Sequence, residues 1–162
     1  MPMDNTLIIY SSNHGTVDKC ARELFKLMEG KVDICNLSKR ETLPDLSKYD
    51  AVIIGGAIQE GKIEEVISAF CAEHLNLLIS KRLALFISCV HRGAEAERQL
   101  EIAFPQELRE HAVVCDYFGG EVSELNLWER IVTTQMMEKE ELEVELSKQK
   151  IRRFAKLIAE TK

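Results

Sequence analysis

Short continuous apolar runs alternate along the chain with longer stretches of helical period. Residues 6–10 (TLIIY), 51–54 (AVII), 83–88 (LALFIS) and 112–118 (AVVCDYF) read as strands, and 32–37 as a weaker one. Between them apolar residues recur at spacings of three and four. Val17, Cys20, Ala21, Leu24 and Met28 mark one helix, ended by Gly30. Val66, Ile67, Phe70, Cys71, His74 and Leu78 mark a second over 64–80. Residues 94–104 form a third, stopped by Pro105, and 138–161 close the chain as a charged helix with Leu142, Leu146, Ile151, Phe154 and Ile158 on its apolar side. Residues 38–48 hold Pro44 and read as a loop with a turn of helix, and 123–137 as a short, ambiguous helix around Leu127, Trp128, Ile131 and Val132.

Five strands separated by helices predict a doubly wound α/β domain, with a parallel sheet between two helical layers. The strongest strands are apolar throughout rather than alternating, as strands covered on both faces must be. The 162 residues suit one domain spanning 1–162, with no internal repeat or linker.

In such sheets ligands bind beyond the carboxyl ends of the strands. Seven of the eight glycines fall on that side in this reading: Gly15 after the first strand, Gly55, Gly56 and Gly61 after the third, Gly93 after the fourth, Gly119 and Gly120 after the fifth. The second strand has none and is expected to be the outer one, away from the site. The sharpest motif is Ser11-Ser12-Asn13-His14-Gly15-Thr16-Val17, which joins the first strand to the first helix. Small hydroxyl side chains and a glycine at a helix N-terminus suit an anion, because main-chain N–H groups converge there under the positive end of the helix dipole. A helix start capped by Ser12, Asn13 or Thr16 uses the same residues. The loop carries neither the GxxxxGK[ST] nor the GxGxxG pattern.

Composition narrows the field. Lys and Arg number 21 against 27 Asp and Glu, a net charge of −6, which argues against nucleic acid as a partner. No apolar run approaches the roughly 20 residues of a spanning helix, and no charged region precedes the first strand, so neither membrane span nor signal peptide is expected. Five widely spaced cysteines without a CxxC pair suit a reduced, cytoplasmic chain, and no metal-ligand spacing occurs. Cys89 reads foremost as a buried structural thiol, and His74 and His111 as structural or exposed. No catalytic triad or carboxylate pair stands out, so no catalytic residue is assigned. Electron chemistry would be carried by a cofactor.

At these segments the chain resembles the flavodoxin-like family, and looks closest to its branch of menaquinone-dependent protoporphyrinogen oxidases. The carrying segments are IIYSSNHGTVDKCA at 8–21, YDAVIIGGAIQEGK at 49–62, LALFISCVHRG at 83–93 and FGGEVSELNLWERIV at 118–132. The resemblance implies strand order 2-1-3-4-5 and one non-covalent FMN. Ser12, Asn13, His14, Gly15, Thr16 and Val17 match the phosphate loop. Ala57, Ile58, Gln59, Glu60 and Gly61, with Lys62, match one loop beside the flavin ring, and Cys89, Val90, His91, Arg92 and Gly93 match the loop on its other side. Neither ring loop holds Phe, Tyr or Trp, where flavodoxins usually stack aromatics. His91 or Ile58 could cover a ring face. The implied function is electron transfer through FMN to a redox partner protein or small-molecule acceptor. The alternatives are an FMN-dependent oxidase of a porphyrinogen-like substrate and a flavin-free interaction module on the same fold. Room for the basic, hydrophobic loop expected of the oxidase branch is scant, so peripheral membrane contact is not expected.

Overall fold

A computed structural model describes residues 5–12, 16–39, 42–89, 91, 93–119 and 137–160, and over 137–147 the backbone alone. Five strands lie parallel: β1 (Asn5–Ser11), β2 (Lys31–Asn36), β3 (Ala51–Gln59), β5 (Arg82–Cys89) and β6 (Val114–Gly119). Their order is β2-β1-β3-β5-β6, which is the expected 2-1-3-4-5 winding. A sixth strand, β4 (Lys62–Ile63), pairs antiparallel with the end of β3. The apolar pattern did not announce it, because two residues are too few to show a period.

Alternation along the strands feeds two cores, one on each face. Leu7, Ile9, Val52, Ile54, Leu83, Leu85 and Ile87 meet α2 (Glu65–Glu73), α3 (Leu75–Leu78), α4 (Gly93–Ala103) and α5 (Gln106–His111) through Ile67, Phe70, Leu78, Leu100 and Leu108. Ile8, Ile53, Ala84, Phe86 and Phe118 meet α1 (Thr16–Leu27) and α6 (Met137–Glu160) through Val17, Leu24, Phe154 and Ile158. Each fully buried side chain of this size contributes about 1.5–3 kcal/mol by leaving water. Phe86, Phe118 and Phe154 form a buried aromatic triad with ring centroids 5.2–5.9 Å apart.

Two expectations are corrected. The helix read over 64–80 is two, jointed at His74 (φ −112°, ψ 19°), whose ring lies 4.7 Å from that of Phe70. Apolar spacing is the same for one continuous helix and for two jointed ones, so periodicity could not tell them apart. The third strand runs on through 55–59, so Gly55 and Gly56 lie inside it rather than in a ligand loop. A Cβ on Gly55 would sit 2.0 Å from Cζ of Phe86, and one on Gly56 would sit 2.9 Å from the Ile63 side chain. Packing therefore accounts for both glycines.

Candidate functional site

Because β1, β3 and β5 are adjacent and parallel, the segments that follow them meet at one edge of the sheet. The first segment leaves β1 at Ser12 and enters α1 at Thr16. Asn13, His14 and Gly15 lie outside the described residues. Thr16 and Val17 are already helical and buried, and the Val17 side chain belongs to the core beneath α1. Val17 can therefore offer an anion only its N–H. The opening turn of a helix carries main-chain donors without partners along the helix. Asp18 in that turn is held in place by Arg22 at 2.7 Å and by the hydroxyl of Tyr10. Burial pushes its carboxyl up, but these two donors outweigh burial and hold it below the ordinary range.

Ser12 is fixed from the side. Its N–H donates to Asn36 Oδ1 at 3.2 Å, and its carbonyl accepts from Asn36 Nδ2 at 3.3 Å. The Ser38 hydroxyl lies 2.9 Å from the same carbonyl. Asn36 ends β2, the strand expected to stay clear of the site, and its role was missed. The sequence signal was an asparagine, a residue that bonds neighbouring main chain, at the carboxyl end of a strand beside the first. Ser11, fully buried, donates to Glu64 Oε2 at 2.5 Å and so ties the end of β1 to the residue that precedes α2.

The second segment is a hairpin, not an open loop. Ile58 pairs with Ile63 and Gln59 with Lys62, leaving Glu60 and Gly61 as a two-residue turn. Both have positive φ, +53° and +78°, as a type I′ turn requires. Ala57 is buried in the core, Ile58 is half-buried, and Gln59 and Glu60 are exposed.

The third segment begins at Cys89, which is buried and whose Sγ donates to the His91 carbonyl at 3.4 Å. Burial pushes its thiol up to about 11, so it stays protonated and unreactive at neutral pH. His91 is exposed, and Val90 and Arg92 lie outside the described residues. Gly93 opens α4 at φ +63° and donates its N–H to the Tyr117 hydroxyl at 3.2 Å. Lys150 of α6 stands 3.2 Å from the centroid of the Tyr117 ring and bonds Asp116 and the Tyr117 carbonyl. An aromatic residue thus does reach this segment, from β6 rather than from the loop. Among the described residues, Ser88, one residue before Cys89, keeps a buried hydroxyl with no hydrogen-bond partner. The stretch around Trp128 lies outside the described residues. Among those described, no group of His, Cys, Asp and Glu could hold a metal ion.

The flavodoxin domain model matches residues 7–147, a span that runs from β1 into α6. The chain belongs to the flavodoxin domain family. That membership bears out the expectation of an FMN-binding, flavodoxin-like electron-transfer protein. The fold is also that of a flavodoxin from the domain Archaea, 15% identical, at a TM-score of 0.58 over 96% of this chain and 99% of that one. Flavodoxin 1 of Bacillus cereus is 13% identical, at a TM-score of 0.57 over 98% and 99%. The flavodiiron core of Flv1 from Synechocystis is 15% identical at 0.55, with 99% of this chain on 37% of that one. None of the curated proteins matches the chain in sequence. No helix among the described residues is long and apolar enough to cross a membrane.

Proposed function

We propose that this chain is a single-domain electron carrier with its FMN phosphate on Ser12–Val17 and the flavin ring between Ala57–Lys62 and Cys89–Gly93. The observation that carries this reading is the meeting of three strand-end segments at one sheet edge, with α1 opening directly beyond β1. The residues present fit such a cofactor. The first turn of α1 suits a phosphate, and the unpartnered Ser88 hydroxyl is a buried group that a ligand atom would satisfy. When bound, FMN supplies the electron-accepting chemistry. The protein's residues bind and orient it. The α1 N-terminus attracts the anion, Asn36 and Glu64 hold the segments that flank it, and the rigid turn at Glu60 and Gly61 sets one wall of the ring end.

Adding FMN to the purified protein tests the reading. A bound, two-band flavin spectrum with FMN but not FAD is expected. The Gly15→Asp variant should weaken FMN by at least about tenfold, or about 1.4 kcal/mol, while leaving riboflavin, which lacks the phosphate, unchanged. A colourless protein that takes up no FMN overturns the reading in favour of a flavin-free interaction module. Turnover of protoporphyrinogen with a quinone acceptor would assign the chain to the oxidase branch, which no feature of the site favours. Reduction of a carrier-type acceptor without that turnover supports the carrier.

A further inference from the structure

We infer that Asn36 is the positioning residue of the anion end, fixing Ser12 where the main chain leaves β1. Three observations converge on it. Asn36 is 3% exposed, so its carboxamide cannot turn to water. That carboxamide bonds both main-chain groups of Ser12 across from the neighbouring strand. Its Oδ1 also accepts from the Ser38 N–H at 3.1 Å and lies 2.7 Å from the Ser38 hydroxyl. The register places Asn36 opposite Tyr10, so the carboxamide reaches past the last paired residues to grip the chain where pairing with β2 ends.

A consequence follows for the donor set. The Ser12 N–H points sideways into the carboxamide, so an anion on this loop must take its main-chain donors from the residues beyond Ser12. Leucine has nearly the shape of asparagine but neither its donor nor its acceptor. Removing the carboxamide would take the acceptor from the buried Ser12 N–H and leave the Ser12 carbonyl only the Ser38 hydroxyl of these contacts, a loss the chain can relieve by moving. Movement of the segment toward water is the cheaper response.

The binding arm of the test rests on the FMN reading above, and the exchange arm does not. In Asn36→Leu, FMN affinity should fall about tenfold or more while riboflavin affinity shifts by less than about twofold. Hydrogen exchange of the flavin-free protein should rise in the peptide covering 11–17 and stay unchanged in the peptide covering 51–54. Ser38→Ala, which removes only one hydroxyl, should move both readouts the same way by a smaller step, and it serves if Asn36→Leu does not fold. Equal loss of FMN and riboflavin, or unchanged exchange over 11–17 in the variants, overturns the inference. If the unsubstituted protein takes up no FMN, the FMN reading fails by itself, and the exchange result alone then upholds or overturns the role of Asn36.

Discussion

The two ends of the candidate site are held by different physics. The anion end is fixed by polar contacts: Asn36 and Ser38 on Ser12, Glu64 on Ser11, and Tyr10 with Arg22 on Asp18. The ring end is fixed by backbone conformation and packing. Its hairpin turns on two positive-φ residues, its strand is pressed against Phe86 at Gly55, and its third segment is tied at Gly93 to Tyr117. Hydrogen bonds fix direction as well as distance, which suits a ligand group with fixed acceptors. Conformation and packing fix a wall, which suits a flat, largely apolar group. The comparison therefore predicts that damage at the anion end separates FMN from riboflavin and that damage at the ring end affects both alike.

The largest expected effect is on what both ends share. Phe154→Ala removes a fully buried ring from the aromatic triad that seats α6, and should cost about 3–5 kcal/mol in denaturant unfolding. It should weaken FMN and riboflavin equally, and a shifted ratio would break the comparison.

Tyr10→Phe acts on the anion end. It removes the hydroxyl bonded to Asp18 and should cost about 1.5 kcal/mol at neutral pH. The Asp18 carboxyl is held below its ordinary value in the folded protein, so its contribution is complete above the unfolded value of about 3.9 and is lost as pH falls through the folded one. The difference between Tyr10→Phe and the parent should therefore shrink below pH about 4, as measured by unfolding across pH. A constant difference would mean that the hydroxyl acts through packing.

The smaller effects are at the ring end. Gly61→Ala forces an L side chain into φ +78° and should cost about 1 kcal/mol, weakening FMN and riboflavin together. Glu60→Asn has the opposite sign. Asparagine tolerates φ +53° better than glutamate, and Asn-Gly is the preferred type I′ pair, so the hairpin should gain about 0.5 kcal/mol. Thermal unfolding checks both substitutions. If Glu60→Asn destabilises, the glutamate side chain has a role that its exposed position does not show.

Much of the fold was legible in the order of apolar runs. TLIIY, AVII and LALFI lie on adjacent strands, and the weaker second strand is the outer one, as expected. Gly30 has φ +86° beyond α1, in keeping with its reading as a helix end. Less of the site was legible. Ser12 and Thr16 lie where the motif puts them, at the end of β1 and the start of α1, but the glycines at 55 and 56 misled. A glycine demanded by a neighbouring ring and one demanded by a ligand look the same in sequence. The aromatic shortage of the ring loops was correctly counted, yet Tyr117 reaches one of them from a strand 24 residues beyond Gly93.

The sequence by itself determined the main element types and the two-sided burial of the sheet, and it pointed to the carboxyl edge as the candidate site. These follow from local periodicity, which each segment carries whether or not it is packed. Only the tertiary structure decided that Asn36 grips Ser12, that Phe86 occupies the space above Gly55 and that Tyr117 bonds Gly93. Those pairs are 24, 31 and 24 residues apart, and they meet because the parallel sheet sets segments distant in sequence side by side. No local pattern encodes a contact whose partner arrives on another strand.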